Sequence, residues 1–234
     1  KTIENLGGNP AEPFAIFPEV AEWYAKSKAR KAEDAALRKA RQQDWAKANP
    51  EQAEKLARFL SGQLPPLNFE EIAHKPEIAS RAASGNVLGY LARKLENFIV
   101  ASADLSNSDK TDGFLKYTKP LTRKDFSGAF LQAGVSELTM ASICNGIALH
   151  GGVWTACGTF FVFSDYMKPA VRLSALMGLP VKYIWTHDAF RVGEDGPTHQ
   201  PVEQEAQIRL MEQLKNHHGR SEEHTSELQS RSDL

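Results

Sequence analysis

Cysteine is scarce in this chain of 234 residues. Only Cys144 and Cys157 are present, and neither belongs to a CxxC pair or to a spacing that ligates metal. That count argues against a disulfide scaffold and fits a reducing compartment. No apolar run approaches the ~18 residues that a membrane span requires, so no membrane partner is expected. Charge of one sign is also missing. The formal net charge is -1, which leaves no global field to draw nucleic acid or acidic lipid. Lys1–Asn9 lacks the features of a signal peptide. Without an initiating Met, the chain is expected to begin inside a larger protein.

What is present divides by texture. Residues 1–15 form a loop around GGNPAEPF. Pro18 suits a first helical turn. Glu19 to Ala46 is rich in Ala, Lys, Glu and Arg, all good helix formers. Its basic residues, from Lys26 to Arg41, are interrupted by Glu33 and Asp34 and carry no interleaved aromatics. A solvated helix fits that pattern better than a nucleic-acid arm. Glu51–Leu60 is a second helix, with Leu56, Phe59 and Leu60 on one side, and SGQLPPLN (61–68) breaks it. Residues 1–70 therefore read as a helical connector.

From residue 71 helices alternate with short apolar strands. Ser80–Glu96 carries a helical stripe of Val87, Leu88, Leu91 and Leu95. Phe98–Val100 is a strand with Asp104 just past its carboxyl end. Residues 106–128 are polar, and no core position can be assigned there. Phe130–Val135 is a weak strand, Leu138–His150 a helix ended by Gly151-Gly152, and Val153–Phe163 a buried strand. Ser164–Met177 is a helix with Pro169 in its first turns or at a kink. A strand at 181–186 and a closing helix at 202–216 complete the set. The alternation is that of an α/β fold, a parallel sheet flanked by helices. The last fifteen residues, RSEEHTSELQSRSDL (220–234), bear no apolar stripe. They read as the translation of a sequencing adapter, so His224 is given no functional weight and 71–219 is taken as the α/β domain.

One loop concentrates chemistry. GEDGPTHQPVEQ (193–204) follows the strand VKYIWTHD and holds Glu194, Asp195, His199 and Glu203. In open α/β sheets ligands bind at the carboxyl ends of strands, in such loops. Composition alone leaves a solvated turn capped by Asp195 as an alternative. Glu137 likewise reads either as a site carboxylate or as a first-turn Glu stabilised by the helix dipole. Phe160, Phe163 and Tyr166 read as core packing or as a stacking wall.

ASADL (101–105), SELTMASICNGIALHGG (136–152), TFFVFSDY (159–166), THD (186–188) and GEDGPTHQPVEQ resemble the transketolase family in order and spacing. The resemblance implies a pyrimidine-binding domain of the thiamine diphosphate-binding fold, preceded by the connector from a diphosphate-binding domain that lies outside this chain. It implies transfer of a two-carbon ketol group between sugar phosphates in the cytoplasm, within the pentose phosphate pathway. It also implies a homodimer with cofactor at the interface. Thiamine diphosphate needs a carboxylate beside N1′ of its aminopyrimidine, and the resemblance implies that Glu137 is that carboxylate. A charge-assisted bond of this kind is worth about 1.5–3 kcal/mol.

By the same resemblance Phe160, Phe163 and Tyr166 wall the pyrimidine, with Phe163 the foremost stacking candidate, and Asp104 organises the pocket or the interface. His187, Asp195 and His199 meet sugar hydroxyl and carbonyl groups, and His187 joins Glu137 as a catalytic candidate. Arg81 and Ser108 fall at phosphate-contact positions, and Arg suits that task. Metal ligands, for Mg2+ or Ca2+, are expected on the missing domain and none on this chain. The family usually has Pro-Ser-Asn after SADL, whereas this chain has Ser106-Asn107-Ser108-Asp109. Asp109 is expected to disfavour a phosphate electrostatically. An Arg commonly precedes the catalytic Glu, and here Ser136 does. A split enzyme subunit or a non-catalytic pyrimidine-domain module are the alternatives. Glu194 and the PVEQ segment favour transketolase over the related deoxyxylulose-phosphate synthase.

Overall fold

The computed structural model describes residues 1–188, 192 and 195–211. The adapter-like tail, Glu194 and the far end of the closing helix lie outside the described residues. The chain divides into two compact units, Lys1–Leu56 and a second that begins at Ala57.

The first unit is helical. A single turn, α1 (Thr2–Asn5), stands where the sequence suggests only loop. The 31-residue α2 (Pro18–Ala48) starts with Pro18 in its first turn after an extended Phe17. It buries no residue, as its charged composition implies. An i,i+4 ion pair between Glu22 and Lys26 (2.7 Å) decorates it, the kind of exposed pair worth only a few tenths of a kcal/mol. Helix α3 (Pro50–Leu60) follows Asn49.

The second unit holds α4 (Ser80–Lys94), β1 (Phe98–Ser102), α5 (Ser106–Asp109), α6 (Asp112–Leu115) and β2 (Phe130–Gln132). It continues with α7 (Glu137–His150), β3 (Trp154–Phe160), α8 (Ser164–Met177), β4 (Lys182–Thr186) and α9 (Gln204–Met211). The four strands form one sheet in the order β2-β1-β3-β4, and every pairing is parallel. Val100 aligns with Phe130 on one side and Ala156 on the other, so β1 is buried between its neighbours. The chain leaves β1 for β2 on one side and then crosses to β3 on the other. Such a reversal opens a crevice at the strands' carboxyl ends.

Alternation along the strands separates two cores. Phe98, Val100, Phe130 and Ala156 pack with Leu88 of α4 and Phe114 of α6 on one face. Ala101 and Cys157 pack with Met140, Ala141 and Cys144 of α7, Met167 and Val171 of α8 and Ile208 of α9 on the other. Phe114, Phe130, Met140 and Met167 are fully buried, each worth about 1.5–3 kcal/mol of transfer free energy. Helix α7 stops at Gly151 (φ 80°) and α8 at Gly178 (φ 63°), conformations that glycine adopts without strain. Pro169 sits in the second turn of α8.

Two boundaries differ from the sequence reading. The strand expected to run to Phe163 ends at Phe160, and residues 161–163 coil into a 3-10 turn. The polar stretch 106–128 contributes Phe114 to the core, because α6 lies directly against α4. A Cβ on Gly113 would come within 2.2 Å of the Gly85 carbonyl oxygen. Substituting Gly113→Ala in the complete protein should therefore force the helices apart and cost roughly 1–3 kcal/mol. Thermal unfolding would show this as a lowered midpoint, and an unchanged midpoint would refute the direct backbone packing.

Candidate functional site

Short connections decide which helix ends reach the sheet's carboxyl edge. Helix α4 leads through three residues into the start of β1, so its first turn lies over the far, carboxyl end of that strand. Helix α7 leads likewise into β3, which puts Glu137 at the same edge. Helix α8 begins there after the short 3-10 turn that follows β3.

Arg81, in the first turn of α4, ties two other candidates together. Its Nη1 donates to Nε2 of His187 (2.8 Å) and to the backbone carbonyl of Ser108 (3.4 Å). A guanidinium can only donate, so Nε2 of His187 must accept. The ring proton then sits on Nδ1 and donates to the Thr186 hydroxyl (3.0 Å). Partial burial first, and then the Arg81 charge, push the His187 pKa below its usual value, with His199 acting the same way. Asp195 and Asp188 oppose the shift. His187 also has φ 55°, in the left-handed region, which fixes where its ring emerges from β4.

The aromatic residues form a continuous group with both histidines. Phe160 lies 3.6 Å from the His187 ring centroid and 5.8 Å from Phe163, with the two phenyl planes only 7° apart. Phe163 continues to Tyr166 (6.1 Å) and to His199 (5.3 Å, edge-on). Phe160 is 7% exposed, Phe163 is half-buried and Tyr166 is 64% exposed. Phe163 and Tyr166 therefore offer ring surface, while Phe160 is taken up by its neighbours. His199 is positioned by the turn at Gly196 (φ 76°), whose carbonyl accepts from its backbone N–H, and its Nδ1 lies 2.9 Å from the Thr198 hydroxyl. Asp195 is exposed at the start of that turn and acts on His187 through its charge.

Glu137 opens α7 at 7% exposure. Among the described residues nothing hydrogen-bonds its carboxylate, and the side chain belongs to the first turn of the helix, where a negative charge is favoured. Ser136 does not cap it, since its hydroxyl donates back to Ala133 (2.7 Å). Asp104 is exposed at φ 66° just past β1 and makes no hydrogen bond with the cluster among the described residues.

A family model for the transketolase pyrimidine-binding domain matches residues 76–232, a span that contains every candidate site residue. The chain belongs to the transketolase family. The model for the transketolase thiamine diphosphate-binding domain matches residues 1–65. The chain is 44% identical over 213 residues to a Bacillus subtilis transketolase, covering 87% of this chain and 31% of that protein. Transketolase from Leishmania mexicana superposes with a TM-score of 0.80 at 30% identity, over 89% of this chain and 31% of that one. A Pichia stipitis transketolase solved with sedoheptulose 7-phosphate gives 0.76 at 34% identity, over 88% and 32%. The chain thus spans about a third of the transketolases it matches, and its family is one that binds thiamine diphosphate.

The residues present suit the pyrimidine end of that cofactor. A buried, unpartnered carboxylate and half-exposed aromatic faces are what a flat, basic heteroaromatic ring requires. Among the described residues no group of three His, Cys, Asp or Glu could hold a metal ion.

Sequence reasoning missed the inward bonding of Asp109 and the contact made by Thr186. Asp109, expected to disfavour a phosphate beside it, is fully buried under its loop and bonded to Ser102. Its DKT context offered a short side chain that bonds two residues on, a common turn device. Thr186 carried no signal beyond its place before His187.

His187 should titrate below the ordinary histidine value. Because its folded pKa is depressed, the stability it contributes is full above the unfolded value and declines as pH falls through that window. Imidazole 15N shifts across a pH series would check this. Arg81→Met should raise the midpoint and Asp195→Asn should lower it; a midpoint at or above 6.5 in the unaltered protein would contradict the assigned tautomer and contact.

Proposed function

We propose that the complete protein containing this chain is a transketolase that moves a two-carbon ketol unit from a ketose phosphate to an aldose phosphate. The observation that carries this reading is Glu137, a buried carboxylate without a partner among the described residues, at the start of α7 in a matching family domain. Bound thiamine diphosphate supplies the electron sink that lets a carbon–carbon bond next to a carbonyl break and re-form.

The chain's own residues bind, orient and hold protons. Glu137 accepts a hydrogen bond from the protonated N1′ of the pyrimidine and keeps that proton in place. Phe163 and Tyr166 pack the ring, with Phe160 setting the angle of Phe163 through its parallel stack. Arg81 and Ser108 take the substrate's phosphate, where guanidinium offers a charge-assisted fork. His187, kept neutral, presents Nε2 as an acceptor to a sugar hydroxyl beside the Arg81 guanidinium. Asp195 accepts from a hydroxyl and His199 from another, which would select configuration at those carbons. Asp104, at its strained backbone position, shapes the pocket rim.

In this reading 1–70 is the connector, 71–219 the pyrimidine domain and 220–234 foreign to both. The protein acts as a cytoplasmic homodimer, with Mg2+ or Ca2+ held by ligands outside this chain. Exposed apolar side chains on and before α7, namely Val135, Leu138, Ile143 and Leu149, support a covered face.

Glu137→Gln in the complete protein should cut turnover at least ~100-fold, the scale of a lost proton-handling group. Steady-state assay with a ketose phosphate donor and an aldose phosphate acceptor would measure it, with circular dichroism to confirm folding. A variant that keeps most of its turnover would sink the assignment.

A further inference from the structure

Among the described residues Asp109 is the one buried carboxylate that the proposed chemistry leaves unused, and its surroundings are unusually complete. Oδ2 accepts from the Ser102 hydroxyl (2.8 Å), while Oδ1 accepts from the Thr111 backbone N–H (2.8 Å) and the Thr111 hydroxyl (2.7 Å). Ser102 is the last residue of β1 and Thr111 the residue before α6. The carboxylate therefore pins the loop between them to the strand end. The Ser102 hydroxyl also accepts from the Leu105 N–H (3.2 Å). The Leu105 carbonyl in turn accepts from the N–H groups of Ser108 and Asp109, both at 2.8 Å. Lys110 follows at φ 64°, with its ammonium on the Asn107 carbonyl (2.6 Å).

The neighbouring strand is shaped around this arrangement. A Cβ on Gly158 of β3 would meet Thr111 Cγ2 at 2.6 Å and Asp109 Oδ2 at 3.0 Å. Only glycine lets the strand and the pinned loop approach so closely. The loop's outward product is Ser108, whose carbonyl receives the Arg81 guanidinium. Burial pushes the Asp109 carboxyl up from its ordinary range, and the three donors pull it back.

We propose that Asp109 is a positioning residue for the phosphate end of the substrate: it holds Ser108, and through the Ser108 carbonyl Arg81, in the geometry that receives a phosphorylated sugar, without touching the sugar itself. This rests on the reading of Arg81 and Ser108 as phosphate contacts. A carboxamide keeps most of this geometry and loses only the acceptor for the Ser102 hydroxyl proton. Its oxygen can keep both Thr111 bonds, and its N–H can donate to the Ser102 hydroxyl, which has a second lone pair free to accept. Alanine, or loss of the Thr111 hydroxyl, releases the loop.

The test uses the complete transketolase loaded with thiamine diphosphate and magnesium, with an unphosphorylated ketol donor at saturation. Two acceptors are compared, an aldose phosphate and an unphosphorylated aldehyde. Asp109→Ala and Thr111→Val should each raise KM for the aldose phosphate roughly tenfold, with kcat held within about twofold and KM for the plain aldehyde unmoved. Asp109→Asn should restore the phosphate KM to within about threefold of the unaltered enzyme. Arg81→Met separates the two readings. If it leaves the phosphate KM unchanged, the phosphate assignment itself fails. If it raises that KM while Asp109→Ala and Thr111→Val do not, the positioning role alone is overturned. Equal losses on both acceptors would also overturn it, as a merely structural effect. Should Asp109→Ala fail to fold, the near-isosteric Thr111→Val decides.

Discussion

Parallel pairing of β1 between β2 and β3 is the constraint on which the second unit depends. Parallel strands cannot be joined by tight turns, so each return must cross over a face of the sheet. That requirement brings α7 and α8 onto one face, while α4, which leads into β1, packs on the other with α6. It also sends every strand's carboxyl end to one edge. Residues far apart in sequence, Arg81, Ser108, Glu137, Phe160 and His187, meet or approach that edge because each begins or ends an element there. The central position of Val100, paired on both sides, holds the reversal that opens the crevice.

Polar geometry at the edge follows from a few side chains that can only donate or only accept. The Arg81 guanidinium cannot accept, and this fixes the His187 tautomer through a single contact. The Asp109 carboxylate cannot donate, and three donors converge on it. Each arrangement removes a rotational choice from a loop that would otherwise sample several. Left-handed backbone at Asp104, Lys110 and His187 appears beside these contacts. Such conformations cost of order 1–3 kcal/mol where a side chain is present, and they persist only where their surroundings over-determine them.

The fold was largely legible in the sequence. Glycine pairs, proline positions and apolar runs placed α2, α3, α4, α7 and α8 to within a few residues, because these helices carry their own start and stop chemistry. Two things were not legible. Phe114 stands in a polar stretch, and its burial depends on α4 and α6 meeting backbone to backbone at Gly85 and Gly113, a long-range fact with no local period. The aromatic run after β3 looked like continued strand, yet it turns at Phe161, which is what lets Phe163 stack parallel to Phe160. Most candidate site residues were named from their motifs, with Arg81 and Ser108 outside any of them. Their connections were not: Arg81 and His187 are 106 positions apart, and the three donors that turn Asp109 inward leave no local pattern. The two cysteines, unremarkable by spacing, share one face of the sheet, where a hydrogen bond from one to the other and burial raise the Cys157 thiol pKa.

If Glu137 engages a ligand as proposed, occupancy and folding become one linked quantity. A molecule that donates to this carboxylate binds the native form and not the unfolded one, so its binding free energy adds to conformational stability by mass action. Helix α7 would then be held most firmly when its first residue is engaged, and the resistance of the α7–α8 face to opening would serve as a gauge of saturation.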